Sequence, residues 1–261
     1  MKDVKTLQKW MCLVGEELIL SDDDIFAVDY FAGGVPSNLT FQSQVEELSN
    51  LVRESVKTGL DTLSEVCFIG LMAYFEAFCK DHFAALINIC PQLTNRLRQH
   101  NYDVSIEATD LLSLGSSLQH RAGFPEHKLG FLLAERYNFG TAKEINARYH
   151  ALLLVTPFSK DEKKRFDQLL NNRNLLVHHG GVYTTKYAQQ ILDTASTRNT
   201  MFLDSLVITK DEVISAAAFL SEIAFKIAGT TQGSLNRFVS EHKIEQTEKG
   251  KQATEFLNYW A

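Results

Sequence analysis

Arg173, Asn174 and His178 lie together in the segment NNRNLLVHHGG, residues 171–181. The stretch 160–178 repeats apolar residues with helical spacing, and at about 100° per residue Phe166, Leu169, Leu170, Leu176 and Val177 form one stripe. Arg173 falls inside that stripe, two turns after Phe166. A permanently charged guanidinium at such a position requires a carboxylate, a neighbouring subunit or an anionic ligand. Glu76 is the natural carboxylate, because it is the only charged residue from Val66 to Cys79 in a helix that is otherwise apolar all round. Glu76 either meets a cation from another helix or pairs with Lys80 at i+4. A buried Arg173–Glu76 ion pair is the structural alternative to a functional role for the arginine. Asn174 and His178 stand four residues apart and share a helix face. Arg173 and His178 point about 140° apart, so bringing them together takes a curled Arg side chain, a distorted last turn, or a second copy of the helix. A helix C-terminus also favours positive charge, a stabilising role for His178 and His179 worth ~0.3–1 kcal/mol that involves no chemistry.

The elements that must position these residues read as all helix. The chain has 261 residues, 45% of them hydrophobic and 22% charged, enough to bury a sizeable core. A net charge of −6 excludes a wholly basic nucleic-acid-coating protein and confines any such binding to a local patch. Only four prolines are present, none after Pro157, and no alternating strand pattern appears between turn dipeptides. Helices are expected near 5–19, 39–58, 62–90, 105–120, 127–136, 142–155, 160–178, 184–195 and 210–228, with short helices in the tail around a solvated EHKIEQTEKGKQ connection. Ser159 caps helix 160–178 and Gly180-Gly181 ends it. The expected organisation is an N-terminal helical appendage (1–38), a helical domain (39–246) and a C-terminal helical tail (247–261).

Other chemistries find no foothold. Cys12, Cys67, Cys79 and Cys90 stand far apart with no zinc-ligand spacing, and read as reduced thiols of a cytoplasmic protein. His82, His100, His120, His127, His150 and His242 show no metal-ligand spacing, so no metal and no cofactor is expected. Walker, G-x-S-x-G, H-E-x-x-H and G-x-G-x-x-G signatures are missing, and no apolar run reaches the 18 or so residues of a membrane helix.

Arg173, Asn174 and His178, followed by Gly180-Gly181, resemble the Arg-polar-x3-His signature of the HEPN superfamily, and YFEAFCKD (74–81) resembles a core helix of its bacterial members. The resemblance covers about residues 40–245 and implies a HEPN-type helical bundle, paired as a two-fold homodimer. It implies a metal-independent endoribonuclease, of the toxin or antiviral and stress-effector kind, whose partners are RNA and an antitoxin or regulatory protein. A non-catalytic HEPN module that binds nucleotide or protein is the alternative. RNA carries its own nucleophile in the 2′-OH, so only proton transfer and charge stabilisation are required. His178 would move the proton, Arg173 would hold the phosphate oxygens, and Asn174 would orient either one. His179, where many relatives have Asn, would be a second proton carrier or a surface residue. Lys163 and Lys164 would track RNA or simply face solvent. Gly180 occupies the position where nucleotidyltransferase-modified relatives carry Tyr, so that modification is not expected.

Overall fold

The computed structural model describes residues 30–58, 62–107, 129–187 and 205–259. In chain order these form a 3-10 turn (Ala32–Gly34), α1 (Ser37–Thr58), α2 (Thr62–Ile89), a second 3-10 turn (Pro91–Leu93), α3 (Thr94–Gln99), α4 (Leu129–Glu135), α5 (Ala142–Leu153), α6 (Lys160–His179), α7 (Lys210–Glu241) and α8 (Glu248–Phe256). The described residues contain no strand, only an isolated antiparallel bridge between Val182 and Ser205. The fold is all-α, as expected.

Capping chemistry sets the ends of the helices that matter for the site. Ser159 accepts from the Glu162 backbone N–H while Glu162 returns to the Ser159 N–H at 2.7 Å, and Thr209 and Glu212 repeat this box at the start of α7. Each cap satisfies backbone donors that a helix start leaves open, a contribution of about 1 kcal/mol. Burial pushes the Glu162 carboxyl up, but hydrogen bonds from Lys226 of α7 and from Ser159 bring it down to about 2. The α6 N-terminus is thereby tied to α7.

Helix α2 is the central strut, packed against α1, α4, α6 and α7. Its Phe68, Leu71, Phe75, Phe78, Cys79, Phe83, Leu86 and Ile87 are buried. Phe75 meets Phe41 of α1 at 5.7 Å and Phe166 of α6 at 5.6 Å, and Phe83 meets Tyr149 of α5 at 5.9 Å. Tyr30 and Phe31, from the expected appendage, and Ala253 and Leu257, from the expected tail, pack into the same core. Cys67, Cys79 and Cys90 are buried free thiols, with burial pushing Cys90 up to about 11.

Several boundaries differ from the sequence reading. Residues 102–107 are not helical, so the helix expected from 105 does not begin there; residues 108–128 and the expected helix 5–19 lie outside the described residues, as does 184–195 beyond its first turn. The short α3 was not expected. α7 runs on past 228 to Glu241, through Gly229 and Gly233, because the C-terminal segment packs along it: Gln232 Nε2 donates to the Thr254 carbonyl at 2.9 Å. This helix is long and apolar enough by composition to cross a membrane, contrary to the expectation of no such run, and half of that stretch is buried within the fold. α2 is not apolar-buried all round: Val66, Ala73, Tyr74 and Ala77 are exposed on one side.

Two features make measurable demands. The Gly130 N–H donates to Asn88 Oδ1 at 2.7 Å, and a Cβ at 130 would lie 2.0 Å from the Ala84 carbonyl oxygen, so α4 touches the α2 backbone. Gly130→Ala should cost about 1–3 kcal/mol or more by overpacking, whereas Gly233→Ala, with nothing within 4 Å of the added carbon, should gain ~0.5–1 kcal/mol in urea unfolding.

His82 is fully buried between α1, α2 and α7. The Thr231 hydroxyl donates to the Ile227 carbonyl at 2.7 Å, so it accepts from His82 Nε2–H at 2.8 Å, and Nδ1 accepts from Ser37 Oγ at 3.3 Å. Burial holds this neutral ring down to about 3. Below the ordinary histidine value of about 6.5 the unfolded chain binds a proton that the folded chain refuses, so stability falls as pH drops from there toward 3. The loss by pH 5 should be about 2 kcal/mol in pH-dependent unfolding, and His82→Gln should flatten that slope.

Candidate functional site

The last two turns of α6 present Asn171, Asn174 and His178 on one face, as their i, i+3 and i+7 spacing requires. The chain then reverses. Gly180 adopts φ +57° and Gly181 φ +82°, and Gly181 N–H returns to the Leu175 carbonyl at 3.2 Å. Gly181 also receives the Leu206 N–H on its carbonyl at 2.8 Å, and a Cβ at 181 would sit 3.3 Å from the Leu206 carbonyl oxygen. Close backbone approach and positive φ together require glycine there.

This reversal folds Thr184, Lys186 and Tyr187 back beside α6. They enclose a cleft of about 170 Å³ together with Asn171, Asn174, His178 and His179. Tyr187 fixes the returning segment: its hydroxyl donates to Asn172 Oδ1 at 2.7 Å and its ring stacks on Tyr183 at 5.2 Å. Burial, with Tyr183 and Glu212 nearby, pushes the Tyr187 phenol up to about 12, so it stays a neutral donor. Leu175 is buried here, although the helical stripe drawn from sequence omits it, and Val177, placed in the stripe, is 45% exposed. α6 runs antiparallel to α2, with Phe166 against Phe75 and Leu169 near Phe68, and in its last turns Leu175 and Leu176 face the core while Val177 faces out.

Arg173 is half-buried. Its Nη1 donates to Asn174 Oδ1 at 3.0 Å, and it has no carboxylate partner among the described residues. The Arg173–Glu76 pair is therefore not formed. Phe75 occupies the direction facing α6, and Glu76, about 100° further round α2, points instead toward Gly140: its Oε1 lies 3.9 Å from where a Gly140 Cβ would be. Nor does Glu76 form an ion pair with Lys80. Arg173 does not line the His178 cleft directly; Asn174 connects the two.

Lys163 and Lys164 stand at the other end of α6, about 22 Å along the axis from His178, and line neither this cleft nor the neighbouring one. That neighbour, of about 340 Å³ between α2, α6 and α7, includes Arg165, but Arg165 is held by the Ser215 carbonyl and hydroxyl and lies 4.4 Å over the Phe219 ring. The cation beside His178 is Lys186, which sequence reading passed over. Its only signal was the Gly180-Gly181 reversal, which implies that the next residues return but not to which face. Among the described residues no group of three or more His, Cys, Asp or Glu side chains is placed to hold a metal ion.

Comparison with known protein families, with curated proteins and with solved structures gives no match. A double-mutant cycle of Arg173→Met and Glu76→Gln should show a coupling below about 0.5 kcal/mol in unfolding measurements, whereas breaking a true buried pair costs about 3–5 kcal/mol.

Proposed function

We propose that the chain is a metal-independent endoribonuclease of HEPN type, acting on RNA as a two-fold homodimer. One arrangement carries this reading: the motif residues Asn174 and His178 share a cleft with His179 and Lys186, while Arg173, held by Asn174, has no carboxylate partner among the described residues. In the reaction His178 takes the proton of the 2′-OH, O2′ attacks phosphorus, and the P–O5′ bond breaks. O5′ takes a proton from His179 or from the same histidine of a second copy. The products are a 2′,3′-cyclic phosphate and a 5′-hydroxyl. Arg173 and Lys186 offset the charge that builds on the non-bridging oxygens, Arg173 with its planar fork and Lys186 as a point charge. Half-buried Arg173 and exposed Val177, near the end of α6, support pairing with a second copy that would bring two sets of these groups across one cleft. A toxin or antiviral and stress-effector role, restrained by an antitoxin or regulatory protein, accompanies this reading.

A second reading is a non-catalytic module that binds nucleotide or protein. It is favoured by the exposure of His178 and His179 at the carbonyl end of α6, where positive charge is stabilising without chemistry.

Cleavage of labelled RNA by the purified protein in excess chelator separates the two. Wild type should cut and leave a cyclic phosphate, and His178→Ala, with unchanged melting temperature, should lose about 10²-fold or more. Lys186→Ala should lower the cleavage rate about tenfold or more. No cutting of any of several RNAs moves the binding module ahead, and equal cutting by wild type and His178→Ala rejects His178 as the proton carrier.

A further inference from the structure

A separate groove of about 470 Å³ lies at the far end of α7, where Phe238 stands about 40 Å along the helix from Asp211 and the neighbourhood of the His178 cleft. One wall is the ridge Gln92, Asn95, Arg96 and Gln99, spaced i, i+3, i+4 and i+7 across the second 3-10 turn and α3. The opposite side of that segment, Leu93 and Leu97, is fully buried. The other wall is Phe238, His242 and Ile244. Gln92, Asn95 and Gln99 are exposed along the rim of the groove, and half-buried Arg96 reaches over the Phe238 ring.

The chemistry of the groove is asymmetric. Arg96 is held with its guanidinium carbon 4.7 Å over the Phe238 ring, and among the described residues it has no carboxylate partner. The His242 ring packs on Phe238 at 4.2 Å, and its Nδ1–H donates to the Phe238 carbonyl at 3.0 Å, which leaves Nε2 as its free nitrogen. The Asn95 and Gln99 amides form no hydrogen bond within the described residues, and no acidic side chain lines the groove, although the chain is net −6. A guanidinium fixed on an aromatic face binds a phosphate with a planar fork. Free amides offer both donors and acceptors, as the edge of a nucleobase demands, and the exposed His242 ring offers a stacking surface. The volume suits a small ligand.

We propose that this groove binds a mononucleotide, its phosphate on Arg96 and its base against His242 and the amides of Asn95 and Gln99. The site is independent of the ribonuclease reading. It is tested by calorimetric titration of the full chain with adenosine monophosphate, with adenosine and inorganic phosphate as separate probes. The nucleotide should bind with Kd below about 1 mM, and each fragment at least about tenfold more weakly. Arg96→Gln should weaken nucleotide binding about tenfold or more, Asn95→Ala should weaken it with an unchanged melting temperature, and His178→Ala should leave it unaltered. The proposal is overturned by no binding of the nucleotide at several millimolar, by equal affinity in the Arg96 and Asn95 variants, by loss in His178→Ala, or by either fragment binding as tightly as the whole nucleotide.

Discussion

Phe75 is fully buried where three separate parts of the chain converge on α2. Its ring meets Phe41 of α1 at 5.7 Å, Phe166 of α6 at 5.6 Å and Phe158, just before α6, at 6.3 Å. Aromatic edges and faces in this range are attractive and tolerate little sliding, so the contact sets both the height and the rotation of α6 on α2. The rest of the site geometry follows from that setting. Glu76, one residue on, is turned away from α6. Arg173, two turns beyond Phe166, keeps a half-open position with a neutral amide for a partner. Asn174 and His178 then face the segment that returns after Gly180-Gly181.

The helices that carry strong end signals were legible. Ser159 with Glu162, and Gly180-Gly181, mark the start and stop of α6 within a residue, because caps are chemical events local to a few backbone groups. What depended on distant neighbours was not. Gly229 suggested an end to α7, but contact with the segment around Asn258 keeps the helix going. Val177 and Arg173 lay in an apparent apolar stripe, yet Leu175 and Leu176 face the core there and Val177 is exposed, so the true buried face is rotated from the one the stripe drew. Of the site, Asn174, His178 and His179 were visible from spacing, while Lys186 required the direction of a reversal that is pinned by the backbone of Leu206.

The chain is acidic overall, but its arginines are not simply neutralised. Arg173 leans on an amide, Arg96 on the Phe238 ring, and Arg148 lies between Tyr102 at 4.7 Å and Tyr137 at 5.2 Å. Aromatic faces and amides hold a guanidinium in place without cancelling its charge. Positive charge is thereby kept at geometrically fixed positions in a chain of net charge −6, which leaves anion recognition to a few local spots.

The cleft around His178 differs from the groove around Arg96 in one more respect. Every residue lining the first comes from 171–187, a single helix end and the hairpin that follows it, whereas the second joins residues of the 92–99 segment to residues beyond 238. Closing a short loop costs little chain entropy and closing a long one costs more, about (3/2)RT ln n. The first constellation therefore needs, beyond the last turn of α6 and the Gly180-Gly181 bend, one distant contact, the Leu206 backbone on Gly181. The second comes into being only when the whole bundle has closed, and so reports on the finished architecture.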